Sequence, residues 1–590
     1  MGGPDPGPGP AELDARALAR LRHATLVCGA LAILAIVARW PAIARGELLF
    51  DSDNALGPLM SRAIWHGGYW PIMLDGQNYL GALDAYLLAP LVGIAGADPR
   101  FWLVGQTALL AFVVVPLACA LGHRVGGRWG LVAAGLAVAI GSSEQLMLTA
   151  SAPLGYLSNL AFGLGILLVA TREGTLASGR ARALGVLVGA GWWNNPQVLV
   201  FVVPAMLACA ARGELATSRS DGRFAVVGRT ASGQVGLLLV VGGALAALAS
   251  LAMPFTSVRG VSVMGLDISL ERPEKYLPRT MACAALGLVI LELVASRSRR
   301  RTVAGGAWFG LAAIMGAMPY AVHKLWGPEA KVEPWMQFRL DDLGHHAADV
   351  RDHVMAAMFG GGVHGVSAAA VVVALAVALV VGHREELLRL ARLRSRGLSA
   401  PVVAALSGVV LGTIMLLRGS FLGGPRHFLS MLVPVAAIVA WAAGALARRS
   451  TLAAAIFVLA LATHGFLGVR HVPDALAARE RPDRARLLRW LAAQQLSHGY
   501  GQYWVAFELS LLGGDRLLIA SDYDPMGNYD RFPEWTRIVE RAPGQRVRLF
   551  DLEWAWDHQR LCAAHERPLG RVLERRRFGS RWVVVRYCRD

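Results

Sequence analysis

Charge is scarce in this chain. Of its 590 residues only 17% are Asp, Glu, Lys or Arg, against roughly 25% in soluble domains. Lysine is nearly missing and occurs only at positions 275, 324 and 331. Cysteine is sparse too: residues 28, 119, 209, 283, 562 and 588, with no CxxC pair. That spacing excludes zinc-ribbon and thioredoxin-type sites. Four of the six lie in or beside apolar runs, where a small thiol packs as a hydrophobe. Cys562 and Cys588 share a polar C-terminal region and form a candidate disulfide if that region lies outside the cytoplasm.

What replaces charge is apolar sequence. The chain is 55% hydrophobic with a mean hydropathy of +0.46, and runs near the ~20-residue spanning length recur from residue 24 to residue 468. This is the pattern of an α-helical polytopic membrane protein. The net charge of +17 would suit a nucleic-acid binder, but its placement argues against one. Arginines collect in short gaps between apolar runs, as at Arg299, Arg300 and Arg301, which is the positive-inside pattern of cytoplasmic loops. No basic face is interleaved with aromatics, so nucleic acid is not an expected partner.

Charge asymmetry then orders the chain. Residues 1–23, Gly/Pro-rich and then basic, read as a disordered cytoplasmic tail before an uncleaved first span at 24–40. Further spans are expected at 101–122, 129–148, 153–170, 234–253, 280–296, 303–320, 362–382, 401–417, 428–446 and 451–468. Residues 183–212 are broken by WWNNPQ (192–197), where Pro196 lacks an amide donor, and should form two shortened helices. The total is about 13 transmembrane helices, N-terminus inside and C-terminus outside. The membrane module covers 24–470, with outer loops at 41–100 and 323–361. From 480 to 590 the pattern becomes soluble, with an amphipathic helix near 483–497 and strands at RLLIA, VRLFDL and WVVVRY, a small extracytoplasmic α/β domain.

The most informative stretch is 50–86, FDSDNALGPLMSRAIWHGGYWPIMLDGQNYLGALDAYL. Asp51 and Asp53 sit where the chain leaves the first span, and ionisable groups at such a depth usually have a task. The Trp, Tyr, Gly and amide residues that follow suit an interfacial surface for a polar ring-shaped ligand. Two carboxylates one residue apart can bind one cation on an extended loop. On a turn, one can serve as base while the other orients it. The bland alternative is a pair of solvated acids marking a helix end.

The loop resembles the first outer loop of GT-C glycosyltransferases, polytopic enzymes that use polyprenyl-phosphate sugars and include the protein mannosyltransferases and the lipid A aminoarabinose transferase. Two further stretches are similar to the same family: GWWNNPQVLVFVVPA (191–205) and GGPRHFLSMLVPVAAIVAW (423–441). The tail stretch 500–521 resembles the end of its bacterial members. The sequence departs from the pattern at Asn54, where Glu is frequent, at Asp75, where an aromatic is common, and at His427, where Tyr is usual.

The resemblance implies an inverting transfer of sugar from a polyprenyl-phosphate donor to a hydroxyl of a glycan, lipid or protein acceptor. It would take place at the outer face of the bacterial inner membrane. Asp53 would be the base and Asp51 its upstream companion. Gln77, Asn78, Tyr79, Asp84, Trp192 and Trp193 would hold sugar and lipid head, Arg426 would meet the lipid phosphate through its planar fork, and Lys331 and Arg339 would be further phosphate contacts from the 323–361 loop. No cofactor is legible; if a divalent cation takes part, Asp51 and Asp53 are its ligands. The rival classes are a transporter or flippase of lipid-linked sugars, which also uses broken helices, and a non-catalytic glycolipid-binding relative. No internal repeat pairs the two halves of the chain, and a transporter needs no outer soluble domain.

Overall fold

A computed structural model describes residues 10–67, 69–74, 80–96, 98–172, 178–211, 260–263, 266–269, 309–319, 344, 347–348, 350, 356–360, 362–391, 398–418, 425–523, 532–553, 557, 559 and 571–588. The spans expected at 234–253 and 280–296, the loop residues Gln77, Asn78 and Tyr79, the cations Lys331 and Arg339, and Cys562 lie outside the described residues.

The described chain is mostly helical. Helices α1 (Pro10–Ala44), α2 (Ser52–Trp65) and α3 (Leu83–Ala95) precede a long run, α4 (Arg100–Ala139). Then come α5 (Ser143–Ala150), α6 (Tyr156–Ala170), α7 (Ser178–Asn194) and α8 (Leu199–Ala211), a small hairpin of β1 (Gly260–Val263) and β2 (Leu266–Ser269), and α9 (Phe309–Pro319). They are followed by α10 (Gly362–Gly382), α11 (Arg384–Ala391), α12 (Ala400–Arg418), α13 (Leu432–Arg449) and α14 (Thr451–Ala477). Among the described residues, four helical stretches are long and apolar enough to cross a membrane: Leu21–Ala44, Arg100–Ala139, Leu429–Arg449 and Thr451–Ala477. In hydrocarbon a helix satisfies its own backbone, which is why apolar runs of this length take that form. Residues 10–23, expected as a disordered tail, instead continue α1 toward its N-terminus.

Of two breaks along α4, one falls where the sequence put a turn and the other corrects a span boundary. Run α4 reverses on itself at Gly126 and Gly127, the latter at φ 62°. An added Cβ on Gly122 would lie 2.3 Å from the Gly130 carbonyl oxygen, a separation a straight helix cannot give to residues eight apart. The two halves therefore run antiparallel, as the basic turn at Arg124 and Arg128 led one to expect. The second half, expected to continue to residue 148, stops at Ala139. Ile140 is extended, and Ser142 caps α5 by accepting from the Gln145 amide at 3.0 Å.

That stop is fixed by a buried arginine. Arg39 of α1 donates to the carbonyls of Ala139 (2.7 Å) and Val138 (3.3 Å), to its own helix at Ala35 (2.9 Å) and to the Thr149 hydroxyl (2.9 Å). The last carbonyls of a helix lack intrahelical partners, and a guanidinium supplies donors to several at once. Arg39→Leu is expected to cost about 3 kcal/mol through those orphaned acceptors, read as a lowered unfolding midpoint in detergent. A midpoint equal to wild type would remove Arg39 from this role.

WWNNPQ acts as expected. Helix α7 ends at Asn194, Asn195 is extended (φ −159°, ψ 116°) and accepts from the Gln197 amide at 3.0 Å, and Pro196 opens a single 3-10 turn, Pro196–Val198, leading into α8.

The C-terminal domain carries α15 (Pro482–Ala493), β3 (His498–Gln502), α16 (Tyr503–Leu512), β4 (Leu518–Tyr523), α17 (Pro533–Arg541), β5 (Gln545–Asp551), β6 (Arg571–Phe578) and β7 (Trp582–Cys588). Its sheet has the order β4-β3-β5-β7-β6; β3 is parallel to β4 and β5, and β7 is antiparallel to β5 and β6. Leu487, Leu491, Val505, Leu509, Ile519, Val547 and Trp582 fill the space between helices and sheet. The three strands expected from sequence are β4, β5 and β7. The two overlooked are β3, whose HGYGQ is too glycine-rich to read as a strand, and edge strand β6, whose arginines hide its alternation.

Candidate active site between the first loop and the C-terminal domain

The two aspartates occupy different positions on one helix end. Asp51 is the N-cap of α2, extended at φ −114° and ψ −178°, and its Oδ1 accepts from the Asn54 amide at 2.8 Å. Asp53 lies in the first turn, where the partial positive charge of the helix N-terminus favours an anion. Asp51 therefore marks a helix end, one of the readings the sequence left open, but it is not a solvated acid. Loss of hydration pushes its carboxyl above the usual carboxylate range. The Asp53 charge pushes the same way, while Arg426, the Asn54 amide and Arg481 pull it down.

Asp53 faces functional groups from two distant parts of the chain. Its Oδ2 lies 2.7 Å from Nη2 of Arg426, which sits on the 3-10 turn Pro425–Met431 that leads into α13. The hydroxyl of Tyr503, the first residue of α16, donates to Oδ1 of the same carboxylate. The side chains of Asp53 and Arg426 are 14% and 24% exposed, enough for a ligand to reach both, whereas Tyr503 is 2% exposed. An anion, a cation and a hydroxyl thus converge where the loop after α1 meets the C-terminal domain.

A second set of charges lies beneath them. Glu508 on α16 is bonded to Arg484 of α15, and the pair is almost fully buried. Arg481 stands 3.8 Å from the same carboxylate. Arg484 also donates to the Glu47 carbonyl at 2.7 Å, and the Glu508 amide reaches Ser52 Oγ at 3.4 Å. Burial raises the Glu508 carboxyl above its ordinary value and the two arginines pull it back. The C-terminal domain is therefore seated on the chain just before Asp51 and between the two aspartates.

Two further expected ligand residues, Asp84 and Trp193, make bracing contacts. Asp84 is fully buried, and its Oδ2 accepts from the Gly155 amide at 2.9 Å; it offers no surface to a substrate, so that assignment is corrected. Trp193 donates its indole N–H to the Ile72 carbonyl at 2.9 Å, and the Gly81 amide donates to the Asn194 carbonyl at 2.9 Å. An added Cβ on Gly81 would lie 2.8 Å from the Trp193 carbonyl oxygen, so only glycine fits that approach. Trp192 is half-buried and packs against the core. Asn159 of α6 donates to Ser430 at 3.1 Å, tying α6 to the turn that carries Arg426. WWNN thus braces the loop at Ile72 and Gly81 through Trp193 and Asn194. Trp193→Phe should cost about 1 kcal/mol, the worth of one hydrogen bond, and should speed amide exchange at 72–74; unchanged exchange there would count against the brace.

Asp51 is committed to the helix end and Asp53 to Arg426 and Tyr503, and among the described residues no group of three His, Cys, Asp or Glu could hold a metal. Cys588 is a half-buried free thiol.

Sequence reasoning passed over Tyr503, Arg484 and Glu508. One signal was available: a glutamate in the middle of YWVAFELSLL, an otherwise apolar helix, implies a buried partner.

Compared with family profiles and with curated protein sequences, the chain matches none. Among solved structures it is similar to the archaeal oligosaccharyltransferase AglB from Archaeoglobus fulgidus, in complex with an inhibitory peptide and a dolichol-phosphate. The match has 13% identity and a TM-score of 0.47, covering 90% of this chain and 70% of that one. It is also similar to ArnT from Cupriavidus metallidurans in the apo state (15%, TM-score 0.33, 90% and 93% covered) and bound to undecaprenyl phosphate (14%, 0.35, 94% and 97%). Both neighbours belong to the GT-C superfamily.

Proposed function

We propose that this chain is an inverting glycosyltransferase of the bacterial inner membrane, moving a sugar from a polyprenyl-phosphate donor to a hydroxyl acceptor at the outer face. The observation that carries the reading is the Asp53–Arg426 pair, 2.7 Å apart and partly exposed, at the end of an apolar helical module. Transfer of this kind needs a base for the acceptor hydroxyl and a cation for the departing phosphate, held close together. Asp53 takes the hydroxyl proton as the acceptor oxygen forms its bond to the anomeric carbon. The bond from that carbon to the phosphate oxygen breaks, its electron pair leaves with the lipid phosphate, and Arg426 offsets the charge through a bidentate contact. Asp51 fixes the helix end on which the base stands. The extended first-loop motif and the adjoining membrane helices support a lipid-linked donor over a soluble one.

The test is incubation of the purified protein with a panel of radiolabelled polyprenyl-phosphate sugars and mixed glycan, lipid and peptide acceptors. Release of sugar from one donor, with inversion at the anomeric carbon, is the expected result. Binding of a donor without turnover would place the chain among non-catalytic glycolipid-binding proteins, and donor movement across vesicles without transfer would make it a flippase.

A further inference from the structure

We infer that the C-terminal domain is a working part of the site: Tyr503 is a positioning residue that holds the Asp53 carboxylate, and the buried Arg484–Glu508 pair seats its helix against α2. The inference rests on the proposed role of Asp53 for its consequence in catalysis, and on geometry alone for the contact itself.

Four observations converge. First, Tyr503 is 450 residues from Asp53 in sequence, yet its hydroxyl donates to Oδ1 while Arg426 holds Oδ2, so each carboxylate oxygen has its own donor. A carboxylate held at both oxygens has one orientation where a surface aspartate has several. Second, the tyrosine is itself fixed: it is 2% exposed, and its ring meets Trp504 and Phe507 edge-on at centroid distances of 5.0 and 5.5 Å. A donor locked by packing positions its acceptor, and a mobile one does not. Third, α16 is secured on the loop side by the Glu508 amide on Ser52, the residue between the two aspartates. Fourth, Arg484 bridges Glu508 and the Glu47 carbonyl, and therefore ties the α15–α16 pair to the chain just before Asp51. The three contacts with the loop fall within seven of its residues, Glu47 to Asp53. A soluble domain resting passively on a membrane module would scatter them.

The physical consequence is specific. Removing the Tyr503 hydroxyl leaves the fold and the ion pair but frees one carboxylate oxygen to rotate. Loss of alignment of about 1 Å at a reacting group lowers turnover by about a hundredfold, and it acts on turnover more than on donor affinity, which depends on groups elsewhere.

The experiment uses the full-length protein in detergent and compares wild type, Tyr503→Phe and Glu508→Gln. Modification of Asp53 by a water-soluble carbodiimide is followed by mass spectrometry. Tyr503→Phe keeps the ring and its packing, so its unfolding midpoint should match wild type while Asp53 is modified several-fold faster. Glu508→Gln should also expose Asp53, with a lowered midpoint. In the transfer assay, Tyr503→Phe should lower kcat by about a hundredfold with donor KM nearly unchanged. Equal modification rates in wild type and Tyr503→Phe would overturn the inference whatever the transfer assay gives. Faster modification in Tyr503→Phe together with no sugar transfer by wild type would uphold the contact and overturn the glycosyltransferase reading.

Discussion

Asp53→Asn is expected to lower donor-dependent sugar transfer by about 10²–10⁴-fold, the range a general base contributes, with little change in unfolding midpoint. The amide keeps the shape of the carboxylate and can still accept from the Tyr503 hydroxyl, so the packing around it survives. It cannot take a proton from the acceptor, and it no longer balances Arg426. Asp51→Asn supplies the contrast. Asn is as good an N-cap as Asp, and its side-chain oxygen can still receive the Asn54 amide. Its effect should stay within about tenfold, because it alters the site only through charge. Equal losses in the two variants would transfer the catalytic role from Asp53 to the acidic pair as a unit, and a fully active Asp53→Asn would end the assignment of the base.

The second large effect concerns Arg484 and Glu508. Both are nearly inaccessible, with side chains 5% and 1% exposed. Removing one partner strands the other charge in a site where water cannot reach it, at a cost of about 3–5 kcal/mol. Glu508→Leu and Arg484→Met should each cause a loss of that order, measured by unfolding in detergent. The double variant should recover most of it, since an apolar pair of similar volume fills the same space without charges to desolvate. Arg481, 42% exposed, can turn to water when Glu508 is gone and should not spoil the recovery. Losses that simply add in the double variant would contradict the buried pair. The double variant also separates stability from positioning, because the bridge from Arg484 to the Glu47 carbonyl would be gone in a folded protein.

Much of the membrane module was legible because hydropathy and proline act locally. The break at Pro196 and the turn between Arg124 and Arg128 each follow from residues within a few positions of the event. Asp51 and Asp53 were found by their position at the end of an apolar run, and Arg426 by its own surrounding motif. What sequence could not supply was the pairing of Asp53 with Arg426 and Tyr503, because both partners are hundreds of residues away. Nor could it tell a ligand from a brace: Asp84 and Trp193 are the residue types a sugar site uses, and only the burial of the first and the hydrogen bond of the second to Ile72 mark them as supports. The end of α4 at Ala139 was misplaced for a related reason, since the residue that fixes it is Arg39, one hundred positions earlier.

The most direct test of the account is a structure of the protein with a polyprenyl phosphate bound. The account places the phosphate against Arg426 within reach of Asp53, with the lipid tail leaving toward the apolar helices, and Arg426→Gln should abolish its retention. A phosphate seated elsewhere, with the Arg426–Asp53 pair undisturbed and binding intact in Arg426→Gln, would contradict it.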